Sequence, residues 1–504
     1  ITYYKGCCVL RQLEAWVGPG SFRDGLRGYL RRFKDGNAAG EDLWEAIGAS
    51  SGVDVAGFAS SWTRQEGFPL VSIDAEERGG RTVLRLSQRR FYSRPEAMEE
   101  ESDQRWAIPL RLRWSDGTQV HTEAVLLDAA EAEHELPGRA EWIHGNADGI
   151  GFYRVELSAA LVSRLAAHGP SAREMPAPSA RSAPSPKSSK RAVSGRSPKG
   201  RAPSEPAALV GTTGAGAALD ALTPVERQVL LDDQWALVLC GRQPIGTFLD
   251  LLSAFHGEKD YVVLEALVGR LDVLVNRVAP KEALPALRAF VGDLLRPAHE
   301  ELGWGEGPGD DPSRAVARAV LISGLGDLAR DEATLRRAAA VADEECRSPA
   351  SVDANLAAVA VRLAALKGTS STLDNFVAEY RSRRDRRASP EEQLRYLGAL
   401  SAFEKPALAK AVLDLTLSDT VPQESMVSLL RPLMARPATA ELAWRFLKDR
   451  WQEVVSRAGL MQLSRLVEGL GALPLSKKRE VESFFAAHPV EEARRALAQA
   501  LEEM

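Results

Sequence analysis

The chain has 504 residues, of which 45% are hydrophobic and 26% charged, and its formal net charge is −5. These values are typical of a soluble globular protein with roughly three or four domains, and they give no global indication of nucleic-acid or anionic-membrane binding. The sequence contains no apolar run of the ~18 residues that a membrane-spanning helix needs. Because it opens without a methionine, we expect residues to precede Ile1, and the presence of a signal peptide stays open.

The first 66 residues predict a run of short helices. Apolar residues recur at helical spacing over residues 7–17, and Gly18-Pro19-Gly20 ends this first helix. Ser21 is the expected N-cap of a second helix. The buried stripe of that helix is expected to consist of Phe22, Leu26, Tyr29, Leu30 and Phe33. Two shorter helices are predicted over residues 42–49 and 55–64.

A change of hydrophobic period at Gly67-Phe68-Pro69 indicates that strands follow. One strand has alternate apolar residues, which are Trp106, Ile108, Leu110, Leu112 and Trp114. Pro109 within it predicts a sheet edge or a bulge, because proline has no N–H to donate. Residues 120–127 and 151–157 also predict strands, so residues 69–165 are expected to form a β-sandwich domain.

Residues 166–218 predict a disordered linker, since most of this stretch is Pro, Ser, Ala, Gly, Lys and Arg. Within it, residues 170–206 carry eight Lys and Arg against two Glu, a net charge of +6. The favoured interpretation is a flexible tether. The alternative is a basic segment that contacts acidic partners or nucleic acid, or that is phosphorylated at its Ser-Pro sites.

Residues 219–504 predict helix throughout, with breaks at residues 241–244 and 307–312. Roughly fifteen helices pair into units of about 35–40 residues, the length of helical solenoid repeats. The predicted fold class is therefore mainly α, with one β-domain and a C-terminal HEAT-like solenoid.

The histidines do not form a metal-binding motif. The seven are His121, His134, His144, His168, His256, His299 and His488. None belongs to His-Glu-x-x-His, which places two zinc ligands on one helix face. We interpret them as surface or loop residues, with His121, His134 and His144 as an alternative metal-ligand trio. The sequence also lacks Gly-x-Ser-x-Gly and phosphate-binding glycine loops, so it contains no complete catalytic constellation.

The four cysteines suggest a reducing compartment. Cys7, Cys8, Cys240 and Cys346 show neither zinc-ligand spacing nor a plausible disulfide framework. We interpret them as free thiols, which favours a cytoplasmic location.

A series of short motifs runs in order along the chain, beginning with Tyr3-Tyr4-Lys5-Gly6 before an apolar helix. The others lie at residues 22–30 (F-x-x-G-L-x-x-Y-L), 37–44 (N-A-x-x-x-D-L-W), 62–69 (W-x-x-Q-x-G-F-P), 86–91, 106–110, 142–146, 151–155 and 227–237. Together they resemble motifs of the aminopeptidase N family of zinc metallopeptidases. The resemblance covers residues 1–160 and 220–275, and helicity alone extends it to the end of the chain. The basic linker departs from the family, which joins these domains more tightly.

The resemblance implies that residues 1–68 are the last helices of a thermolysin-like catalytic domain. In this family the zinc motif, its Glu ligand and the Gly-x-Met-x-Asn loop precede Tyr-x-Lys-Gly. We therefore expect the Zn ligands upstream of Ile1 and none within this chain, which would then be inactive alone. Tyr3 matches the family tyrosine whose hydroxyl stabilises the tetrahedral intermediate. Tyr4 fills a variable position, Lys5 is expected to make a supporting contact, and Gly6 to allow a close approach.

Two functions follow from this resemblance. The first is the C-terminal portion of a zinc aminopeptidase that removes N-terminal amino acids from peptides, with Tyr3 as its one catalytic residue here and no cofactor-binding or metal residue. The second is a non-catalytic pseudo-peptidase whose helical domain binds a peptide or protein. Peptide is the expected partner, without nucleic acid or membrane. The oligomeric state and the preferred N-terminal residue stay open.

Overall fold

A computed structural model describes residues 2–99, 102–166, 218–305, 307, 310–349 and 351–504. The chain divides into two compact units, Ile1–Ala254 and Phe255–Met504. The predicted linker, residues 166–218, lies outside the described residues apart from its two ends. In the described part of the chain, no helix is both long and apolar enough to cross a membrane.

The first unit opens with four helices, as predicted. They are α1 (Thr2–Val17), α2 (Pro19–Arg32), α3 (Gly40–Ser51) and α4 (Val55–Thr63). The N-cap prediction for Ser21 is wrong, because Gly18 caps α2 and Pro19 occupies its first position. Proline suits that position, since the first N–H groups of a helix have no intrahelical acceptor to lose.

The predicted buried stripe of α2 is also wrong. Leu30 is 65% exposed, and the other four residues of the stripe are only partly buried. The contact between α2 and α3 is made instead at Gly25, where an added Cβ would lie 2.7 Å from the Cα of Ile47. At Gly25 the two helices therefore meet backbone to backbone.

Among the residues that the structure describes, seven strands form two sheets. They are β1 (Pro69–Arg78), β2 (Arg81–Arg90), β3 (Ile108–Ser115), β4 (Val120–Leu127), β5 (Glu131–Glu135), β6 (Trp142–His144) and β7 (Arg154–Leu157). The first sheet has the order β5-β2-β1-β7, in which only the β1–β7 pair is parallel, and the second has the order β4-β3-β6. Two helices accompany the sheets, α5 (Pro95–Met98) and α6 (Ala159–Ala166).

The strand predictions are largely confirmed. The alternate residues from Trp106 to Trp114 are all buried, and residues 120–127 form β4. The strand predicted over residues 151–157 is shorter and begins at Arg154. Although β3 is the central strand, β6 pairs only with its last three residues, so Pro109 is paired on one side. At Pro109, β3 therefore has a neighbouring strand on one side only, as at the edge of a sheet.

Described residues from 218 onward are helical, as predicted. Sixteen α-helices occur there: α7 (Pro224–Leu239), α8 (Ile245–Ser253), α9 (Tyr261–Val273), α10 (Leu284–Leu302), α11 (Pro312–Ser323), α12 (Glu332–Arg347), α13 (Ala354–Leu366), α14 (Ser370–Asp385), α15 (Pro390–Ala399), α16 (Pro406–Thr416), α17 (Met426–Ala435), α18 (Ala440–Asp449), α19 (Trp451–Arg457), α20 (Leu460–Glu468), α21 (Lys478–Ala487) and α22 (Arg494–Glu503). Helices α7 and α8 belong to the first unit, where α7 packs on β7 and α8 on α6.

The second unit has two layers of helices. One layer packs in succession through α9, α11, α13, α15, α17, α20 and α22. The helices between them lie outside this row, with α10 against α11, α12 against α13, α14 against α15 and α16 against α17. From α11 to α22, the buried faces of these helices form one hydrophobic core, which runs from Ile322 to Ala500.

Candidate functional site

Tyr3 lies in the first turn of α1 rather than in front of the helix. Its side chain is 91% exposed, so the described residues do not enclose the phenol. The neighbouring Tyr4 is 83% exposed. A tyrosine hydroxyl donates one hydrogen bond, and at this position it is accessible to a ligand.

Lys5 ties this turn of α1 to the start of the β-strands. Its ammonium donates hydrogen bonds to the carbonyl oxygens of Gln65, at 3.3 Å, and Gly67, at 3.1 Å. Burial, and then the positive charge of Arg90, lower the pKa of Lys5 below its ordinary value. Lys5 therefore makes the supporting contact that the sequence predicts.

Gly6 is predicted to allow a close approach to another part of the chain. No described atom lies within 4 Å of the place where a Cβ on Gly6 would stand. The expected close approach is therefore not found within the described ranges. The tight glycine of this region is Gly67, with a φ of 78°, where a Cβ would lie 2.8 Å from Nε of Arg90.

The segment after α4 is held by hydrogen bonds from its motif residues. The indole of Trp62 donates to the carbonyl of Ala107 at 3.0 Å, and the amide of Gln65 donates to that of Arg105 at 2.7 Å. Phe68 then packs with its ring centroid 5.3 Å from that of Phe152. These residues fix the path from the helices into β1, and thereby the carbonyls that Lys5 binds.

The alternative histidine trio is not supported. His121 contacts Asp116 at 2.9 Å and His134 contacts Glu123 at 2.8 Å, so each is paired separately. His144 is buried in β6, which makes its interpretation as a surface or loop residue wrong. Burial lowers its pKa, against the opposing charge of Glu226.

No metal centre is formed by the residues that the structure describes. Among them, no group of three or more His, Cys, Asp or Glu side chains is placed to hold a metal ion. These residues therefore do not fit a zinc site. All four cysteines fall within the described ranges, and each is a free thiol.

Sequence analysis does not predict an ionic cluster in the second unit, in which the buried Asp327 is surrounded by four half-buried residues, Arg330, Arg362, Glu404 and Arg436. Arg436 lies 2.7 Å from Asp327 and 3.1 Å from Glu404, and Arg330 lies 2.6 Å from Glu404. Burial opposes ionisation of Asp327, but Arg436 and Arg362 outweigh it and hold its pKa below the usual range. No motif brings these residues together, because up to 109 positions separate them.

Comparison with known proteins identifies the family. Residues 208–504 match the ERAP1-like C-terminal domain, and residues 1–62 match the peptidase family M1 domain. Aminopeptidase M1 of Arabidopsis thaliana is 27% identical over 525 residues, which cover 100% of this chain and 53% of that protein.

Two further relatives agree with this assignment. Aminopeptidase M1-A of Oryza sativa subsp. japonica is 26% identical over 90% of this chain and 46% of its own length. Aminopeptidase 2 of Candida albicans is 26% identical over 100% of this chain and 49% of its own length. The chain spans about half the length of the curated relatives it matches. It belongs to the aminopeptidase N (M1) family of metallopeptidases and carries the family's ERAP1-like C-terminal domain.

Proposed function

We propose that this chain is the C-terminal portion of a zinc-dependent aminopeptidase that removes N-terminal amino acids from peptides. The observation that carries the proposal is the exposed Tyr3 on a helix turn that Lys5 anchors. The family assignment and the relatives named aminopeptidases support it. Because the described residues do not fit a zinc site, the metal ligands would come from residues outside them.

Tyr3 is the catalytic residue of the proposal. When a peptide carbonyl is attacked, negative charge develops on its oxygen. A phenol that is already placed donates a hydrogen bond to that oxygen, and the bond strengthens as the charge grows. The role assigned to Tyr3 is therefore to stabilise the oxyanion of the tetrahedral intermediate.

The remaining domains would enclose the site. We assign residues 1–68 to the end of the catalytic domain, residues 69–165 to a β-sandwich, residues 166–218 to a linker and residues 219–504 to a HEAT-like solenoid. The two sheets and the two layers of successive helices support this division. Such a cover would limit access to peptides, and a cytoplasmic location stays a prediction.

The decisive experiment compares two adjacent exposed tyrosines in a full-length protein that contains this chain and a zinc motif. Tyr3→Phe is expected to lower kcat by ~10²–10³ with little change in KM, because it removes one oxyanion donor. Tyr4→Phe is the matched control and is expected to retain wild-type kcat. Wild-type turnover in Tyr3→Phe would remove Tyr3 from the mechanism.

A second measurement addresses the metal. The 504-residue chain alone is expected neither to retain zinc after dialysis nor to hydrolyse aminoacyl substrates. One tightly held zinc per chain in metal analysis would contradict the assignment of the ligands to other residues. A full-length protein that binds peptides without turnover would instead be a pseudo-peptidase.

A further inference from the structure

Sequence similarity and three-dimensional contacts assign helix α7 to different parts of the chain. By sequence it falls within the ERAP1-like domain, which begins at residue 208. By contacts it belongs with the sheets, in the unit that ends at Ala254. The same segment is therefore related to the helices that follow it and packed on the strands that precede it.

The N-terminal end of α7 is held by Glu226, which is fully buried. One of its carboxylate oxygens accepts a hydrogen bond from the backbone N–H of Asp148 at 2.8 Å and lies 3.0 Å from Nε of Arg113. The other accepts from the N–H of Thr223, the N-cap of α7, at 2.8 Å. One buried carboxylate thus joins the start of the helix to β3 and to the turn after β6.

The middle of α7 is held by Asp233, which is also buried. Its carboxyl group accepts hydrogen bonds from the guanidinium of Arg154 and from the backbone N–H of Val155, both at 3.1 Å. Both donors lie on β7. A buried polar group needs such partners, so this contact specifies where α7 sits on the sheet.

The C-terminal end of α7 is held by apolar contacts and by one more ion pair. Leu237 and Cys240 pack in a buried cluster with Leu70 of β1. Two residues after Cys240, the guanidinium of Arg242 makes a bidentate contact with Glu156 of β7, with both distances at 2.7 Å. Planar two-bond pairs of this kind are geometrically specific.

Three of the anchor positions, two on α7 and one at its C-cap, lie on one face of the helix. Glu226, Asp233 and Cys240 follow each other at intervals of seven residues. Seven residues are close to two helical turns, so their side chains point to the same side. α7 thus presents a face with two acidic groups, and the strands present arginines and backbone N–H donors to it.

We propose that residues 218–254 bind the β-strands as an intramolecular ligand, so that the C-terminal part of the chain stays attached to them without covalent continuity through residues 167–217. The strands present the binding surface, and the element that binds it is a helix, α7, with acidic groups seven residues apart. The inference is independent of the proposed catalytic role of Tyr3.

The test uses the full chain with a specific protease site inserted between residues 190 and 191. Cleavage is followed to completion on a denaturing gel, and the products are then separated by size-exclusion chromatography. We expect the two fragments to co-elute in native buffer and to separate in concentrated urea. Separation in native buffer at micromolar concentration would overturn the proposal.

A charge exchange tests whether the contacts of α7 hold the fragments together. In the cleaved chain, Arg242→Glu and Glu156→Arg are each expected to raise the apparent Kd of the fragments at least tenfold, and the double variant to restore much of the affinity. Arg78→Ala, which breaks an exposed ion pair with Glu133, is the control and should have no effect. Equal affinity in all four variants and the wild type would overturn the assignment, and circular dichroism of the uncleaved variants checks that each one folds.

Discussion

The ammonium group of Lys5 lies 3.1 Å from the carbonyl oxygen of Gly67, which joins the first turn of α1 to the segment entering β1. The same ammonium reaches the carbonyl of Gln65, so two backbone groups hold one side chain. Since Tyr3 stands in that turn, its position depends on the junction between helices and sheets. The contact therefore couples the candidate catalytic residue to a part of the fold distant in sequence.

Lys5→Met should loosen this turn, because it keeps the aliphatic stem and removes both hydrogen bonds. Hydrogen bonds to charged groups contribute about 1.5–3 kcal/mol, and every 1.4 kcal/mol is a factor of about ten. Cys8 is half-buried and lies three residues further on, so its alkylation reports on the turn. We expect its rate, measured by peptide mass spectrometry in a Cys7→Ser background, to rise roughly tenfold.

Lys34→Met provides the control for this measurement, since Lys34 is exposed in the turn that follows α2. In the Lys34→Met variant, the alkylation rate of Cys8 should equal that in the Cys7→Ser parent. If Lys5→Met also leaves the rate unchanged, the two carbonyl contacts do not order the turn.

Asp327→Asn should destabilise the second unit strongly. The substitution leaves Arg362 and Arg436 beside a neutral amide, and breaking a buried ion pair in this way typically costs about 3–5 kcal/mol. Urea denaturation followed by circular dichroism measures the loss. Glu332→Gln breaks the exposed pair with Lys367 in the same unit and is expected to cost less than about 1 kcal/mol. Equal losses in the two variants would show that the cluster contributes no more than a surface pair.

Much of the fold follows from local periodicity. The strand predicted over residues 120–127 has the same bounds in the structure, where it is β4 (Val120–Leu127). The helix predicted for residues 219–504 likewise includes α9. For these elements, the residue pattern along the chain is enough to predict the type of secondary structure.

The features that the sequence pattern does not predict depend on contacts between residues distant in the chain or on backbone geometry. Ser21 has the right chemistry for an N-cap, but Pro19 two residues earlier already fits the start of α2. Gly25 permits a backbone approach that leaves Leu30 exposed, which the hydrophobic pattern does not reveal. A sequence motif points to Tyr3 as the candidate residue, whereas the carbonyls that accept hydrogen bonds from Lys5 are identified only in the folded chain.

Two glycine substitutions of the same kind should have opposite effects in the second unit. A Cβ on Gly326 would lie 2.5 Å from Leu363, so Gly326→Ala overpacks the core and should cost about 1–3 kcal/mol. Gly269 is exposed within α9 with no described atom within 4 Å of such a Cβ, so Gly269→Ala should stabilise by about 0.5–1 kcal/mol. Thermal denaturation of both variants measures the difference. Stabilisation by Gly326→Ala would contradict the close approach to Leu363.

Asp233 should make the stability of the first unit depend on pH near neutrality. Burial raises its pKa to about 7, against the lowering influence of Arg154 and the N–H of Val155. A carboxyl group whose pKa is raised on folding stabilises the fold in its protonated form, and this contribution is lost as the pH rises through about 7. Asp233→Asn keeps a carbonyl acceptor but does not titrate.

The stability of the wild type relative to Asp233→Asn should therefore fall as the pH rises from 5 to 8, by roughly 2–3 kcal/mol. Thermal denaturation at both pH values measures this difference, and the sign matters more than its size. Asp128→Asn, at an exposed position after β4, controls for the loss of one carboxylate. If the relative stability of the wild type instead increases with pH, the ionised pair with Arg154 is the stabilising form. Asp233 would then be a charged anchor of α7 rather than a protonated one.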